Sequence, residues 1–81
     1  MNNVSLIGNL TRDIEIKMTT TNKVITNFTL AVSRKSKNAQ GDYETDFINC
    51  VAWEKTADLL SRYTRKGSKV GITGEIRTRN Y

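Results

Sequence analysis

Two alternating apolar runs on either side of a long polar stretch constrain this chain more than any other feature. Val24, Thr26, Phe28, Leu30 and Val32 occupy every second position of the first run, and Ile48, Cys50 and Ala52 those of the second. A side-chain period of two marks an extended strand with one face turned to an interior. The stretch between them, Arg34 to Asp46, contains the turn-forming run Asn38-Ala39-Gln40-Gly41-Asp42. Strand, polar loop with glycine, strand predicts a long hairpin. Its second limb has an outer set, Phe47, Asn49, Val51 and Trp53, that includes the only Trp of the chain and one of its two Phe residues. At roughly 3.3 Å per residue Phe47 and Trp53 stand about 20 Å apart, too far to stack on each other but suited to act as separate platforms for flat rings. A lone aromatic strand more often lies in a sheet buried on both faces. A second interior has little use for Asn49, however, and the rest of the chain decides between the two readings.

Asn3 to Leu10 alternates, with Val4, Leu6 and Leu10 on one face, Ser5, Ile7 and Asn9 on the other, and Gly8 allowing a bend or a close backbone approach. Thr11-Arg12-Asp13 reads as a turn. Ile14, Ile16 and Met18 alternate with Glu15 and Lys17 as a second short strand, counted with the first as its continuation, and Thr19 to Lys23 is a polar loop with Asn22 as its turn residue. Thr56 to Lys66 is the one expected helix. Thr56 serves as N-cap, Asp58 lies in the first turn, Ala57 and Leu60 with Leu59 and Tyr63 form the apolar side, and Gly67 is the stop. Arg65 and Lys66 suit the negative end of the helix dipole, which explains them without a ligand. Lys69 to Tyr81 is the last strand: Val70, Ile72 and Ile76 face inward, while Lys69, Thr73, Glu75, Arg77, Arg79 and Tyr81 face out.

Strands with a single helix before the last of them, and no βαβ alternation, predict one all-β domain over residues 1–81, with a five-stranded Greek-key barrel as the nearest template. Only four long strands can be counted, so the closing strand is expected to be missing and the chain to be a fragment ending near Tyr81, with open edges that invite pairing. A domain of 81 residues buries too little surface for comfort, which favours oligomerisation. Thirteen Lys and Arg against eight Asp and Glu give a net charge of +5, fitting an anionic partner. The single Cys50 lies on the inward side of its strand and reads as a small hydrophobe of a reducing cytosol. Neither a signal peptide nor a long apolar run is present.

Exposed aromatics beside basic strands suit single-stranded nucleic acid, whose unpaired bases offer flat faces. The expected stacking residues are Phe47, Trp53, Tyr43 and Tyr81. The expected phosphate contacts are Arg34, Lys35 and Lys37 of the hairpin with Lys69, Arg77 and Arg79 of the last strand. The absence of His, and of a carboxylate pair near the aromatics, argues against an enzyme, and no cofactor or metal is expected. A protein-interaction or replication-accessory module, with Phe47 and Trp53 as interface anchors, is the alternative.

Five segments carry a resemblance that runs nearly end to end. They are Asn3-Val4-Ser5-Leu6-Ile7-Gly8-Asn9-Leu10-Thr11-Arg12-Asp13, Phe28-Thr29-Leu30-Ala31-Val32, Asp46-Phe47-Ile48-Asn49-Cys50-Val51-Ala52-Trp53, Lys66-Gly67-Ser68, and Gly74-Glu75-Ile76-Arg77-Thr78-Arg79-Asn80-Tyr81. In order and spacing the chain resembles the bacterial-type single-stranded DNA-binding proteins, which have an oligonucleotide/oligosaccharide-binding (OB) fold. The resemblance implies base stacking by residues placed like Phe47, Trp53 and Tyr81, and phosphate contacts from the long hairpin and the last strands. It also implies a cytoplasmic, nucleoid-associated homotetramer acting in DNA replication, recombination and repair, with an acidic tail beyond this chain recruiting other proteins. The chain departs from the family pattern in three places: Ile14 where Pro is common, Asn3 where a basic residue is common, and no aromatic near Ser36.

Overall fold

A computed structural model describes residues 1–78. It contains β1 (Val4–Leu10), β2 (Lys17–Met18), β3 (Val24–Lys37), β4 (Tyr43–Trp53), α1 (Glu54–Tyr63) and β5 (Lys69–Gly74). All pairings are antiparallel within one five-stranded sheet, in the order β2-β3-β1-β5 with β4 also on β3. β4 and β5 do not pair, so the strands do not close into a barrel among the described residues. The fifth strand is the Lys17–Met18 segment, shorter than the short strand expected over Ile14 to Met18 and not a continuation of β1. It is separate because the chain turns at Thr11 to Ile16 and returns to β3, where Lys17 pairs with Ile25 and Met18 with Val24. No helix among the described residues is long and apolar enough to cross a membrane.

The hairpin forms as expected. β3 and β4 pair without a break from Ile25↔Trp53 to Ser33↔Thr45, and then the register shifts to Lys37↔Tyr43. Arg34, Lys35 and Ser36 therefore oppose Glu44 alone, a bulge that bends the ribbon toward its tip. The inward positions also fall as expected: Leu30 and Thr26 are fully buried, and Leu10, Ala52, Ala57 and Leu60 complete the core. α1 covers one end of the sheet, with Ala57 and Leu60 against Ala52, Ile14, Val24 and Phe28. Thr26 Oγ1 is buried without a hydrogen-bond partner among the described residues.

Gly8 works by close approach. A Cβ there would lie 2.6 Å from the Ala31 carbonyl oxygen, so β1 can cross β3 only with glycine at this point. The crossing lets Leu10 reach the core.

The helix differs from expectation at its start. Thr56 is not the N-cap; Trp53 occupies that position, with no side-chain cap, and Glu54 turns the corner at φ +54°. The chain passes directly from strand to helix through this left-handed residue, so the helix begins two residues before Thr56 and carries the acidic Glu54 in its first turn. Asp58 pairs with Arg62 one turn on, at 3.1 Å. Leu59 and Tyr63 are exposed, not packed, because the narrow apolar stripe through Ala57 and Leu60 is all that meets the sheet. The helix stops at Thr64, whose N–H and hydroxyl both donate to the Leu60 carbonyl, ahead of Gly67.

The last strand is shorter than alternation suggested. β5 ends at Gly74, opposite Val4, and Glu75 to Thr78 form no strand. Ile76 is 63% exposed and does not face inward. β1 begins at Val4, so Ile76 has no strand beside it, and the Asn2 carboxamide bonds its N–H and C=O instead, at 3.0 and 2.6 Å. Arg79 and Tyr81 lie outside the described residues.

Candidate nucleic-acid interface

The outward residues of β4 are solvent-exposed, with Phe47 at 68%, Trp53 at 51% and Val51 at 49% of their free surface. A second buried face is therefore excluded for this strand in the described structure. The inward side of the same strand is partly or fully buried at Ile48, Cys50 and Ala52. Burial raises the Cys50 thiol above its ordinary range, and its Sγ donates to the Ile48 carbonyl, so it remains an inert thiol at neutral pH.

Strand register places a lysine on the same rung as each aromatic. Phe47 is opposite Ala31, Ala31 opposite Asn9, and Asn9 opposite Lys69. Trp53 is opposite Ile25, and Ile25 opposite Lys17. Directly opposed residues share a face, and strands lie about 4.8 Å apart. Lys69 is thus about 14 Å from Phe47, and Lys17 about 10 Å from Trp53, measured across the sheet. The strand-to-helix corner at Glu54 sits immediately after Trp53 and fixes where that ring leaves the sheet.

Between the two aromatic rungs the face forms an open groove of about 670 Å³. Asn27, Thr29 and Asn49 line it, with Arg12, Lys17 and Lys66 among the charged residues around it. Arg12 and Lys66 are 54 residues apart in sequence but are drawn together by backbone bonds. Gly67 N–H donates to the Leu10 carbonyl at 2.8 Å, and Leu10 N–H donates to the Ser68 carbonyl at 2.9 Å. Gly67 adopts φ +90°, a conformation that favours glycine. Asp13 and Glu15 also line the groove, and the Asp13 carboxylate accepts the Lys66 backbone N–H at 2.7 Å. Alternation does not reveal Arg12, Lys17 and Lys66 as a group. Their meeting depends on register and on the β1–β5 closure, and in the sequence the helix dipole alone accounts for Lys66.

The hairpin tip is built differently. Arg34 is held by both oxygens of Asp46, at 3.0 and 2.9 Å, and by Glu44 at 2.9 Å. The guanidinium that was expected to meet phosphate already bridges two carboxylates of the facing strand. The Arg34 hydrogen bond holds the Asp46 carboxyl below its usual range. Lys37 Nζ lies 5.5 Å from the centroid of the Tyr43 ring, so one face of that ring is already covered by a cation. Lys35 is exposed on the bulge and has no ion pair among the described residues. Arg77, beyond β5, pairs with Glu75 at 3.4 Å and is highly exposed.

The Single-strand binding protein family matches residues 1–81. Over all 81 residues the chain is 54% identical to Single-stranded DNA-binding protein 4 of Streptococcus agalactiae, covering 59% of that protein. It is 52% identical to Single-stranded DNA-binding protein 1 of Lactococcus lactis, covering 54% of it. Identity to the Single-stranded DNA-binding protein of Enterococcus faecalis is 48%, over 43% of its length. The chain thus spans about half the length of the relatives it matches. With its whole length matched and an antiparallel sheet consistent with an OB fold, the chain belongs to the single-strand binding protein family.

Proposed function

We propose that this domain binds single-stranded DNA with little sequence preference and carries out no chemistry on it. The observation that supports this most is the pair of exposed aromatics on β4, each sharing a rung with a lysine. A nucleotide needs a flat apolar surface for its base and a cation for its phosphate, and this spacing offers both twice. Phe47 and Trp53 are the main stacking platforms, and Tyr43 adds its uncovered ring face. Lys69 and Lys17 hold phosphates on the aromatic rungs, and Arg12 and Lys66 do so along the groove. Lys35, Lys37 and Arg77 extend the positive surface. Arg34 is a strut of the hairpin that supports these groups. Tyr81 and Arg79 are assigned to stacking and phosphate contact by the family resemblance.

The names of the relatives, single-stranded DNA-binding proteins, support the choice of partner. Roles in replication, recombination and repair, and in recruiting other proteins, belong to the same reading. So does a tetramer: Ile7 is 65% exposed on β1, and strands β4 and β5 each have an unpaired edge among the described residues. Light scattering at micromolar concentration should report a mass above that of one chain, and a monomer removes the oligomer from the reading.

Titration with oligo-dT, followed by Trp emission, tests the binding itself. Saturable quenching by the single strand and weak response to a duplex of the same length is expected. If the single strand leaves Trp emission unchanged while β4 stays folded, the aromatic face serves another partner, such as a protein.

A further inference from the structure

The β1–β5 ladder ends at Val4↔Gly74, and the same register carried two residues further sets Asn2 against Ile76. The backbones no longer pair there, but one side chain supplies what a strand residue would. Ile76 N–H donates to Asn2 Oδ1 at 3.0 Å, and Asn2 Nδ2 donates to the Ile76 carbonyl at 2.6 Å. A main-chain partner in a hydrogen-bonded antiparallel pair makes the same two bonds. Ile76 is exposed, so water would satisfy both groups without Asn2. The clasp therefore fixes the path of the chain more than it fills a need for partners.

Arg77 follows directly. Its guanidinium has one carboxylate partner among the described residues, Glu75 at 3.4 Å, and its side chain is 85% exposed. Arg34, by contrast, is gripped by two carboxylates at 2.9 and 3.0 Å. A single long contact in water is weak, so Glu75 gives way to a phosphate at little cost. Alternation puts Lys69, Thr73 and Arg77 on one side of the chain, and an in-register hold on Ile76 keeps Arg77 on the side of Lys69, the lysine of the Phe47 rung.

We propose that Asn2 is a positioning residue for DNA binding: its clasp on Ile76 holds Arg77 where the guanidinium meets a phosphate of the bound strand. The inference rests on the proposed binding of single-stranded DNA to the β4 face. Asn2 touches no ligand. It acts through Arg77, by removing in advance the freedom that residues 75–78 would lose on binding.

A double-mutant cycle tests this. Affinity for oligo-dT is measured against salt, by Trp emission, for the wild type, Asn2→Ala, Arg77→Ala and the double variant. Arg77→Ala should reduce the slope of log affinity against log salt by about 0.7, one phosphate. Asn2→Ala should reduce it in the same direction, by up to about 0.7, although no charge is lost. The double variant should match Arg77→Ala, because the two residues act as a unit. Amide exchange reads the clasp itself: Ile76 N–H should exchange faster in Asn2→Ala than in the wild type, with the amides of β1 and β5 unchanged. Equal rates at Ile76 in the two proteins overturn the proposal, and so does faster exchange throughout β1 and β5, which makes Asn2 a structural residue of the sheet. An unchanged slope in Asn2→Ala overturns it too, as do losses that add in the double variant. The wild-type titration separates the two readings: where it shows binding with quenched Trp53, such a failure belongs to the clasp alone, and where it shows no binding, both readings fall.

Discussion

The hairpin tip and the groove hold comparable positive charge but treat it differently. At the tip, the dense cluster Arg34-Lys35-Ser36-Lys37 is partly consumed by the protein: Asp46 and Glu44 bind Arg34, and Lys37 lies over Tyr43. Along the groove, Arg12, Lys17 and Lys66 come from three separate parts of the chain and meet on a face that also exposes two aromatic rings. Density of charge along the sequence is therefore a poor guide to which cations the fold leaves without a carboxylate partner among the described residues. A cluster that folds against carboxylates becomes structure, whereas scattered cations gathered by register remain available.

Gly8→Ala breaks the comparison most severely, because it attacks the crossing that builds the groove. A methyl group 2.6 Å from the Ala31 carbonyl must push β1 away from β3. Overpacking of this kind costs up to about 3 kcal/mol of folding stability, which thermal or urea unfolding measures. Binding should fall with it, while the tip, paired through β3 and β4 alone, keeps its register.

Trp53→Ala leaves the fold in place and removes a platform. A loss of about 2 kcal/mol in affinity for oligo-dT is expected, with similar losses across base compositions. Full affinity in this variant would mean that stacking happens elsewhere, with Tyr43 at the tip the first candidate.

Salt dependence separates the two regions more sharply. Replacing Lys17 or Lys66 by Ala should lower the slope of log affinity against log salt by about 0.7 each, one phosphate's worth of released counterion on a single strand. Arg34→Ala should leave that slope unchanged, because its charge is already matched by Glu44 and Asp46. A falling slope for Arg34→Ala and a constant one for the two lysines would invert the account.

The smallest effect is a pH dependence confined to the tip. The Asp46 carboxyl is lowered from its ordinary 3.8 by the Arg34 hydrogen bond, so its contribution to stability is full above that pH and is lost as pH falls through the lower folded value. Both groups are solvent-exposed, so the effect is small. Unfolding measured on the wild type and Arg34→Ala from neutral to acid pH should show the two curves converging below about pH 3.8. Curves that stay parallel throughout would show that the bridge contributes nothing.

Much of this was legible in the sequence because alternation reports which face a residue takes. The hairpin, the inward set Thr26, Leu30 and Ala52, the outward Phe47 and Trp53, and the close approach at Gly8 were all readable in that way. What was not readable depends on partners distant in sequence. Alternation reports a short strand through Met18, but its pairing with β3 as a strand of its own depends on β3 beside it. The exposure of Ile76 follows from β1 starting at Val4, and the neutralisation of Arg34 follows from the β3–β4 register, which sets it opposite Glu44 and diagonal to Asp46. The helix start is not readable because the capping signal at Thr56 yields to the left-handed corner at Glu54, a conformation no side-chain pattern announces. For Lys66 the sequence offers a local reason, the helix dipole, whereas a non-local one, the bond of its backbone N–H to Asp13 beside that of Gly67 to Leu10, places it on the groove.

Ultraviolet crosslinking of the protein to oligo-dT, with the attached residues read by mass spectrometry, tests most directly whether the strand lies across the β4 face. The expected attachments are at Phe47 and Trp53, accompanied by peptides from the groove around Arg12, Lys17 and Lys66. Attachments confined to the hairpin tip at residues 34–43, or to the exposed side of α1 at Leu59 and Tyr63, would contradict the placement of DNA on this face.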